Sequence, residues 1–452
     1  MMYSIGSAPD YIACNLFTLL QHLYYTIYYY LLYDSFIVKQ CILKLNNIIN
    51  FNKSENKNKE NEANKEINSI LIENENENLI RIYGYSCRSL FYTFMRNEST
   101  KNTEIKILVT PLFHTSFRDI IEKFIRPQNI YIMEMNSKYT EIKKFDQNVK
   151  YDLIIINHMF GLDVNMNALK SYVENAKHNC LVVEDRVLGG TLNKNFSSPL
   201  IDMSFYSMGM DKLPNALGGG YININLKSSS SLLLKEISND ISKNINNYVC
   251  ETNLERFIKI IKIIPTYIIY NCKYCNLILG NIVCFLSLFN HEINTENLTK
   301  IYREKNPGFT HFDYLKKPSQ SLIMSMKKNI SKYEYYEKKY TNQYLKYFNY
   351  FNTFEINKYY PWILDLNIKQ KKLRIPYNNI SLIYLSRSEK ENFIKKIKYN
   401  LSYLKNPTYK VFNKNYEHKI ADEEFNNNII YIPSIITLNN KDMKKLHKII
   451  TK

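Results

Sequence analysis

Short apolar runs of strand length alternate with stretches of helical spacing in the middle of the chain. Three such runs lie in EIKILVTPLF, KYDLIIINHMFG and HNCLVVEDRVLGG. Between the last two, LDVNMNALKSYVENAKH has its apolar residues spaced as in a helix that buries one face. Strand, helix and strand at this pitch predict a parallel sheet wrapped by helices. Ligands bind such sheets where the strands end, at their carboxyl edge.

Two longer apolar stretches flank this region. Residues 11–45 are rich in Tyr, Leu and Ile but are interrupted by polar residues such as Asp34. A membrane helix needs about 20 predominantly apolar residues, so this stretch is either a buried or amphipathic helix or a membrane anchor. The second stretch, 258–291, is broken by Pro265 and resembles a helical hairpin, packed inside the protein or resting on a membrane surface. We expect both stretches to lie on one side of the molecule.

Polar repeats separate the first stretch from the globular region. Residues 51–78 hold too few apolar side chains to offset the entropy cost of ordering, so they are predicted to be a disordered linker. The chain is therefore divided into five predicted parts. They are an apolar N-terminal segment (1–50), a low-complexity linker (51–78), a large domain (79–230), a helical region with the apolar hairpin (231–317) and a small C-terminal domain (318–452).

The amino-acid composition excludes only a few classes of function. The chain has 452 residues and a formal net charge of +18, but its richness in Asn, Lys, Ile and Tyr follows from A/T-rich codons. No arginine-rich cluster with interleaved aromatics and no zinc-finger spacing is visible, so nucleic acid is not an expected partner. The eight cysteines are scattered and are predicted to be reduced thiols. Cys272 and Cys275 form one CxxC without a second ligand pair, so no metal site is predicted.

One short stretch carries an unusual concentration of glycine. The chain has only 11 glycines, yet Gly218, Gly219 and Gly220 stand together just after Lys212. An acidic residue at a strand end, Asp185, precedes that lysine by 27 positions. This pair suits a pyridoxal phosphate site, in which the lysine holds the cofactor aldehyde as a Schiff base and the aspartate keeps the pyridine nitrogen protonated.

The same stretch resembles the DegT/StrS group of sugar aminotransferases. Glu184 and Asp185 match the family's acidic pair. Asp202, Ser207 and Lys212 follow at intervals of five residues, and two glycines begin the next strand, as in the family. Glycine is expected there because the chain must reverse tightly and re-enter the sheet where side chains would collide with the cofactor.

Other segments fit the same resemblance. YGYSCRSLFYTFM looks like the family's phosphate loop and helix, HMFG like its His-x-x-Gly, and IIYIPSIITLNNKDMKKLHKII like its closing elements. The resemblance covers about residues 80–452 and is poor over 230–310. It implies a three-layer αβα fold with a mainly parallel central sheet, fold type I of pyridoxal phosphate enzymes, and a smaller α+β C-terminal domain. Residues 79–230 would then bind the cofactor.

The resemblance also implies roles for particular residues. Lys212 is the catalytic lysine, Asp185 and Ser207 contact the cofactor, Ser86 and Cys87 occupy its phosphate loop, and His114 or a neighbour stacks on its ring. Four positions depart from the family. Ser86-Cys87 replaces Gly-Thr, Leu188 stands where Gln or His is usual, and Lys317 replaces an arginine.

The implied activity is transfer of an amino group, with Lys212 moving the proton between substrate and cofactor. Glutamate is the implied donor and a keto-sugar nucleotide, or a related carbonyl compound, the acceptor. Two alternatives stay open, a noncatalytic member that binds a membrane or partner, and a lyase or acyl-transferase on the same fold. A homodimer is expected, and the protein is predicted to be intracellular, either cytoplasmic or membrane-associated.

Overall fold

The computed structural model centres on an eight-stranded sheet. It describes residues 21, 23–27, 72–76, 78–135, 141–158, 163–176, 180–187, 195–209, 216–228, 230–261, 315–332, 380–384, 409–411 and 429–433. In chain order the strands of the sheet are β1 (Ile72–Asn76), β2 (Leu79–Gly84), β3 (Ile107–Val109), β5 (Ile130–Ile132), β8 (Leu153–Asn157), β9 (Leu181–Asp185), β10 (Met203–Ser207) and β11 (Gly220–Asn225). Their spatial order is β1-β2-β11-β10-β9-β8-β3-β5.

Most of this sheet is parallel. Strands β10, β9, β8, β3 and β5 run in one direction. Strand β11 runs against β10 and against β2, so β2 has the same direction as the parallel set. Strands β8 and β9 read LIIIN and LVVED and are buried along their whole length. Such continuous apolar strands are typical of sheets covered on both faces.

Helices cover both faces of the sheet. They are α1 (Cys87–Lys101), α2 (Thr115–Phe124), α3 (Asn167–Ala176), α4 (Ser231–Asn246) and α5 (Gln320–Ser331). Helices α1, α2, α4 and α5 pack in one core with the side chains of Val183 and Phe205. Helix α3 packs through Leu169 against the opposite face, in a core with Ile156 and Val182. The predicted strand-helix-strand unit is confirmed, since β8 and β9 are parallel neighbours and α3 lies between them in the chain.

The remaining described elements are short. They are β4 (Leu112–His114), β6 (Glu134–Met135), β7 (Ile142–Lys144), β12 (Val249–Cys250), β13 (Lys316–Lys317), β14 (Ile380–Tyr384), β15 (Tyr409–Val411), β16 (Ile429–Pro433) and the 3-10 turn Pro127–Asn129. Strand β4 pairs with β15, β6 with β7, β12 with β13 and β14 with β16. Residues 253–261 are also helical.

The structure differs from the prediction at one end of the linker. Residues 72–76, predicted to be disordered together with the rest of 51–78, form the edge strand β1. Their backbone pairs antiparallel with β2, with Ile72 opposite Ile82. Backbone pairing to an existing strand needs few apolar side chains, which is why composition alone did not indicate this strand.

Most of the two long apolar stretches lies outside the described residues. Only residues 21, 23–27 and 258–261 of them are described. Among the residues that the structure describes, no helix is both long enough and apolar enough to cross a membrane. Most of the predicted C-terminal domain (318–452) also falls outside the described set, whereas α5 packs in the core of the large sheet through Leu322 and Met326.

Candidate functional site

The carboxyl ends of the parallel strands collect the polar residues of the candidate site. Strand β8 ends at Asn157, β9 at Asp185 and β10 at Ser207. Because these strands are parallel, the three residues share one edge of the sheet. Strand β2 has the same direction, so the residues that follow it, beginning with Tyr85 and Ser86, emerge at this edge too.

Three of these residues also share one face of the sheet. Asp185 is the register partner of both Asn157 and Phe205. The ring of Phe205 packs edge-on against Phe91 of α1, with centroids 5.4 Å apart, so this row of side chains faces α1. Ser207 lies two residues beyond Phe205 and therefore projects to the same face. The carboxylate and the hydroxyl thus stand on the side of the sheet that α1 covers.

Helix α1 begins at this same corner. Ser86 is its N-cap, and the Ser86 hydroxyl accepts the backbone N–H of Ser89 at 3.0 Å. The Ser89 hydroxyl accepts the Ser86 N–H and donates its proton to the Ser86 carbonyl at 2.7 Å, so that proton is used within the capping box. A serine hydroxyl that accepts one hydrogen bond can also donate one. Cys87, the first helical residue, is buried and is not part of a disulfide.

The three glycines form a turn beside the N-terminus of α1. Gly218 has φ +138° and Gly219 has φ +85°, and they follow Leu217 at φ +55°. Such angles are costly for residues with a Cβ, which is why glycine takes two of the three positions. A Cβ on Gly219 would stand 2.4 Å from the Met326 sulfur of α5. The backbone angles and the nearby Met326 side chain therefore disfavour any residue with a Cβ at Gly218 and Gly219.

Gly220 is required by a close approach of two backbones. A Cβ there would lie 2.4 Å from the Cys87 backbone nitrogen and 2.7 Å from the Tyr206 carbonyl oxygen. Gly220 pairs with Ser207 in the sheet, and Gly219 forms a bridge with Ser86. The glycines thus bring the end of β10 against the first turn of α1. The predicted collision exists, but the described groups that would collide belong to the protein itself.

Asp185 is held by its own turn. Its side chain is 3% exposed, and its Oδ1 accepts the backbone N–H of Val187 at 2.9 Å. Its carbonyl accepts the His158 N–H at 3.1 Å, and Arg186 N–H donates to the Phe205 carbonyl at 2.9 Å. These bonds on both sides fix the end of β9. The carboxylate is therefore a fixed negative group at the carboxyl edge of the sheet.

The neighbouring acid, Glu184, belongs to a different environment. It pairs with Ile156 and Ser204, which places it on the face opposite Asp185. Its carboxylate is fully buried and accepts bonds from the hydroxyls of Ser197 and Ser204 and from His158 Nε2 at 2.8 Å. The acidic pair of the sequence is thus divided between the two faces of the sheet.

Glu184 remains ionised despite its burial. Burial alone would raise the pKa of Glu184, but the Arg186 guanidinium, 3.6 Å away, and the hydrogen bonds from His158 and Ser197 outweigh it and lower the pKa to about 2. His158 Nδ1 accepts the Val164 N–H at 3.0 Å, so Nε2 carries the proton donated to Glu184. This buried network links the carboxyl ends of β8 and β9 on the face of the sheet opposite Asp185.

Asp202 has a structural role at the amino ends of the parallel strands. It immediately precedes β10, and its Oδ2 accepts the Val182 N–H at 2.8 Å while Oδ1 accepts the Ser228 hydroxyl. Burial raises the pKa of Asp202, and the two hydrogen bonds act against this shift. Asp202 therefore joins β10 to β9 where both strands begin, away from the edge that holds Asp185.

The remaining predicted residues are less well defined by the structure. Lys212 and Leu188 lie outside the described residues. His114 is described, as the exposed N-cap of α2, with its Nδ1 2.8 Å from the Ser116 hydroxyl. Its position at the end of β4 is five residues beyond the end of β3, and its role as a stacking residue stays a prediction.

Three further residues near the site were not indicated by the sequence. Arg256 is fully buried and donates to the carbonyls of Ala216 and Leu217 in the glycine turn. Lys259 donates to the hydroxyl of Tyr85 and, at 2.9 Å, to Glu251. All three charged residues fall in the region of poor family resemblance. No local motif marks their link to the site, because Ala216, Leu217 and Tyr85 lie 39 or more positions away in the sequence.

The described residues fit pyridoxal phosphate as a group. A helix N-terminus flanked by the hydroxyls of Ser86 and Ser207 suits an anionic phosphate. The buried carboxylate of Asp185, on the same face and edge, suits a protonated pyridine nitrogen. The glycine turn keeps this corner free of side chains from Gly218 to Gly220. The donor set therefore matches both ends of the cofactor.

Comparison with solved structures gives the fold independently. The chain is similar to an aminotransferase from Psychrobacter cryohalolentis (TM-score 0.52, 9% identity, covering 85% of this chain and 88% of that one). It is also similar to Spr1654 from Streptococcus pneumoniae, assigned as a sugar aminotransferase, in its PMP form (0.51, 10%, 82% and 86%). A third similar structure is PseC of Helicobacter pylori, an aminotransferase involved in the biosynthesis of pseudoaminic acid (0.50, 11%, 82% and 85%).

These identities show the fold alone. The predicted fold class, an α/β architecture of fold type I with a mainly parallel sheet between helical layers, is confirmed. No protein-family model matches the chain, and no curated protein matches it in sequence.

Proposed function

We propose that the protein is a pyridoxal phosphate-dependent aminotransferase. The observation that carries the proposal is the convergence at one corner of the sheet. The carboxylate of Asp185, the hydroxyl of Ser207 and the N-terminus of α1 lie at the same edge and on the same face. A fold shared with solved aminotransferases supports this reading of the corner.

The phosphate end is assigned to the first turn of α1. Backbone N–H groups at a helix N-terminus carry partial positive charge and attract anions. Ser86 and Ser207 flank this turn and each adds a hydroxyl. Because Gly220 lacks a Cβ, β11 can start directly against Cys87, which keeps Ser207 beside the helix. Ser86-Cys87 thus serves in place of the family's Gly-Thr.

The pyridine end is assigned to Asp185. A carboxylate there holds the proton on the ring nitrogen, and the Val187 N–H keeps the carboxylate oriented. When bound, pyridoxal phosphate supplies an electron sink that stabilises negative charge on the substrate carbon from which a proton is removed. Lys212 is proposed to hold the cofactor covalently at rest. It then removes and returns that proton as a general base and acid.

The substrates follow from the family resemblance. Glutamate is proposed as the amino donor, and a keto-sugar nucleotide or related carbonyl compound as the acceptor. A similar structure, Spr1654, is assigned as a sugar aminotransferase, which agrees with a sugar-related acceptor. The net charge of +18 suits an anionic acceptor, although codon bias alone explains it.

We further propose a homodimer in which each site lies near the subunit boundary. The protein is proposed to be intracellular, with residues 11–45 and 258–291 forming one apolar surface that docks on a membrane or a partner. Within the described part of this surface, Ile258 and Ile261 are each more than 40% exposed, and Leu254, which precedes the surface in the chain, is exposed on the same side of the helical stretch. Exposed apolar rows of this kind mark interfaces.

The function is tested by absorbance spectra of the purified protein with pyridoxal phosphate. A visible band that disappears on addition of glutamate, and returns with a keto-acid, is the expected result. Lys212→Ala is expected to lose the visible band altogether. A protein that takes up the cofactor but does not respond to glutamate would favour a lyase or acyl-transferase. A protein that takes up none would favour the noncatalytic alternative.

A further inference from the structure

Glu184 is held from several parts of the chain on the face of the sheet opposite the candidate site. Its carboxylate accepts the Ser204 hydroxyl from β10, and the hydroxyl and backbone N–H of Ser197, the N–H at 3.1 Å. His158, which follows β8, donates through Nε2 at 2.8 Å. The Arg186 guanidinium lies 3.6 Å away. One buried carboxylate therefore joins β8, β9 and β10.

Two of these partners also hold the peptide bond that follows Asp185. The carbonyl of this peptide accepts the backbone N–H of His158 at 3.1 Å. Its N–H, which belongs to Arg186, donates to the Phe205 carbonyl at 2.9 Å. The peptide is thus bonded to the end of β8 on one side and to β10 on the other. The side chains of the same two residues, His158 and Arg186, converge on Glu184.

This arrangement connects Glu184 to the position of the Asp185 side chain. The two acids are successive residues of β9, so their side chains project to opposite faces of the sheet. The peptides on either side of Asp185 set the direction of its Cα–Cβ bond, and Glu184 ties the residues that hold the second of them. The Val187 N–H fixes the carboxylate itself, at 2.9 Å from Oδ1. Glu184 therefore acts on the candidate site through the backbone.

A carboxylate is a demanding choice at this position. Glu184 is fully buried, and a buried charge is costly unless it is paired and its hydrogen bonds are satisfied. Arg186 supplies the opposite charge, and His158 is one of the donors. An apolar side chain would pack here at lower cost but would leave these two residues unconnected. A directional connection between them is what the carboxylate adds.

We propose that Glu184 is a positioning residue for Asp185: from the opposite face of the sheet it ties His158 to Arg186, which fixes the peptide after Asp185 and the direction of the Asp185 carboxylate. The importance of that direction for the cofactor rests on the proposed function. The tie between the two residues is independent of that function. The two parts are therefore measured separately.

The tie is measured by hydrogen exchange on the full chain without cofactor. Glu184→Gln keeps the shape of the side chain but removes its charge, and we expect exchange to be about tenfold faster in peptides covering 155–158 and 183–186, with 220–225 of β11 unchanged. Asp202→Asn is the matched control, because Asp202 is also a buried carboxylate that joins β9 to β10, but at their amino ends. Unchanged exchange in the first two peptides, an equal increase in β11, or the same increase in the control would overturn the proposal.

A second variant covers the case in which Glu184→Gln does not fold. His158→Asn retains an acceptor for the Val164 N–H, but its side chain is too short to reach Glu184. We expect faster exchange in the same two peptides. Wild-type exchange in this variant would overturn the tie.

The effect on the candidate site is measured with two probes that need no covalent bond to the protein. Pyridoxamine phosphate carries the ring nitrogen that Asp185 is proposed to bind, and its deaza analogue has a carbon in that place. The ratio of their dissociation constants, from calorimetry, reports the contact with Asp185, because a general loosening of the site weakens both probes alike. We expect the wild-type chain to bind pyridoxamine phosphate at least about tenfold more tightly than the analogue, since charge-assisted hydrogen bonds are strong.

Glu184→Gln is expected to reduce this preference to about twofold, because a hydrogen bond depends steeply on distance and angle. His158→Asn should change the preference in the same direction, and Asp202→Asn should keep it. A full preference in Glu184→Gln, or an equal loss in Asp202→Asn, overturns the positioning role. A wild-type chain that binds both probes alike, or neither, refutes the proposed function of Asp185 and the positioning role with it, while the exchange result still decides the tie.

Discussion

Replacing Gly220 by alanine tests the close packing of β11 against α1. The added Cβ would lie 2.4 Å from the Cys87 nitrogen, 2.7 Å from the Tyr206 oxygen and 2.8 Å from the Cys87 Cα. All three are backbone atoms, so no side-chain rotation relieves the overlap, and both α1 and the end of β10 must shift away from β11. We expect this to lower the free energy of unfolding by about 3 kcal/mol, the upper end for overpacking in a core.

Gly84 supplies a matched control. It is the register partner of Gly220 in the adjacent strand, and neither glycine has a positive φ. The three atoms nearest to a Cβ on Gly84 are side-chain carbons of Leu90, at 2.4 to 2.8 Å. Because a side chain gives way more easily than two backbone segments, Gly84→Ala is expected to cost less, about 1 kcal/mol.

The two variants are compared by urea unfolding of the cofactor-free protein and by titration with pyridoxal phosphate. Gly220→Ala is expected to bind the cofactor at least tenfold more weakly, about 1.4 kcal/mol, because the first turn of α1 moves. Gly84→Ala is expected to retain wild-type affinity. The reasoning would be refuted if Gly220→Ala bound the cofactor as tightly as wild type, or if Gly84→Ala were the more damaging change.

Three further predictions concern the network behind the site and the surfaces of the protein. The pKa of Glu184 is lowered from 4.5 to about 2, so its stabilisation is complete above pH 4.5 and is lost as the pH falls toward 2. It amounts to about 3 kcal/mol, and Glu184→Gln should flatten the acid limb of a stability-pH curve; an unchanged limb would contradict this. The full chain should float with anionic liposomes and a variant lacking residues 1–50 should float less, whereas no flotation of either would remove the membrane proposal. Light scattering should give the mass of a dimer, and a monomer that binds the cofactor tightly would count against shared sites.

The parts of the fold that the sequence predicted are those with strong local patterns. Strands β8 and β9 are continuous apolar runs, and α3 between them has clear helical spacing, so their order and parallel direction followed. Strand β1 was missed because IENEN is polar and its stability comes from backbone pairing with β2.

The candidate site was predictable where the chain brings residues together through regular strands. Asp185 was expected at the carboxyl edge because it ends a predicted strand, whereas strand β10, which brings Ser207 to the same edge, was not predicted. The glycines were expected to avoid a cofactor, but Gly220 is needed to admit the Cys87 backbone, a contact across 133 positions. The hydrogen bond from Arg256 to the Ala216 carbonyl could not be predicted for the same reason. Long-range contacts of single residues leave no periodic signal.

The hydrogen bonds of His158 could not be predicted from the sequence either, although their partner lies closer in the chain. The HMFG motif was recognised, but the partner of its histidine depends on the register of β8 and β9. That register sets Asn157 opposite Asp185 and Ile156 opposite Glu184, which brings the buried histidine to Glu184. In the sequence, Glu184 and Asp185 form one acidic pair. In the structure, the alternation of side chains along β9 places them on opposite faces of the sheet and gives them different roles.

The most direct test of the account is to locate the residue that carries the cofactor. The protein loaded with pyridoxal phosphate is reduced with borohydride, digested and mapped by mass spectrometry. Lys212→Ala, whose substitution lies outside the described strands and helices, is treated in parallel as the control. The account predicts one modified lysine, Lys212, and no specific label in the variant. A label on another lysine, or equal labelling of the variant, would contradict it.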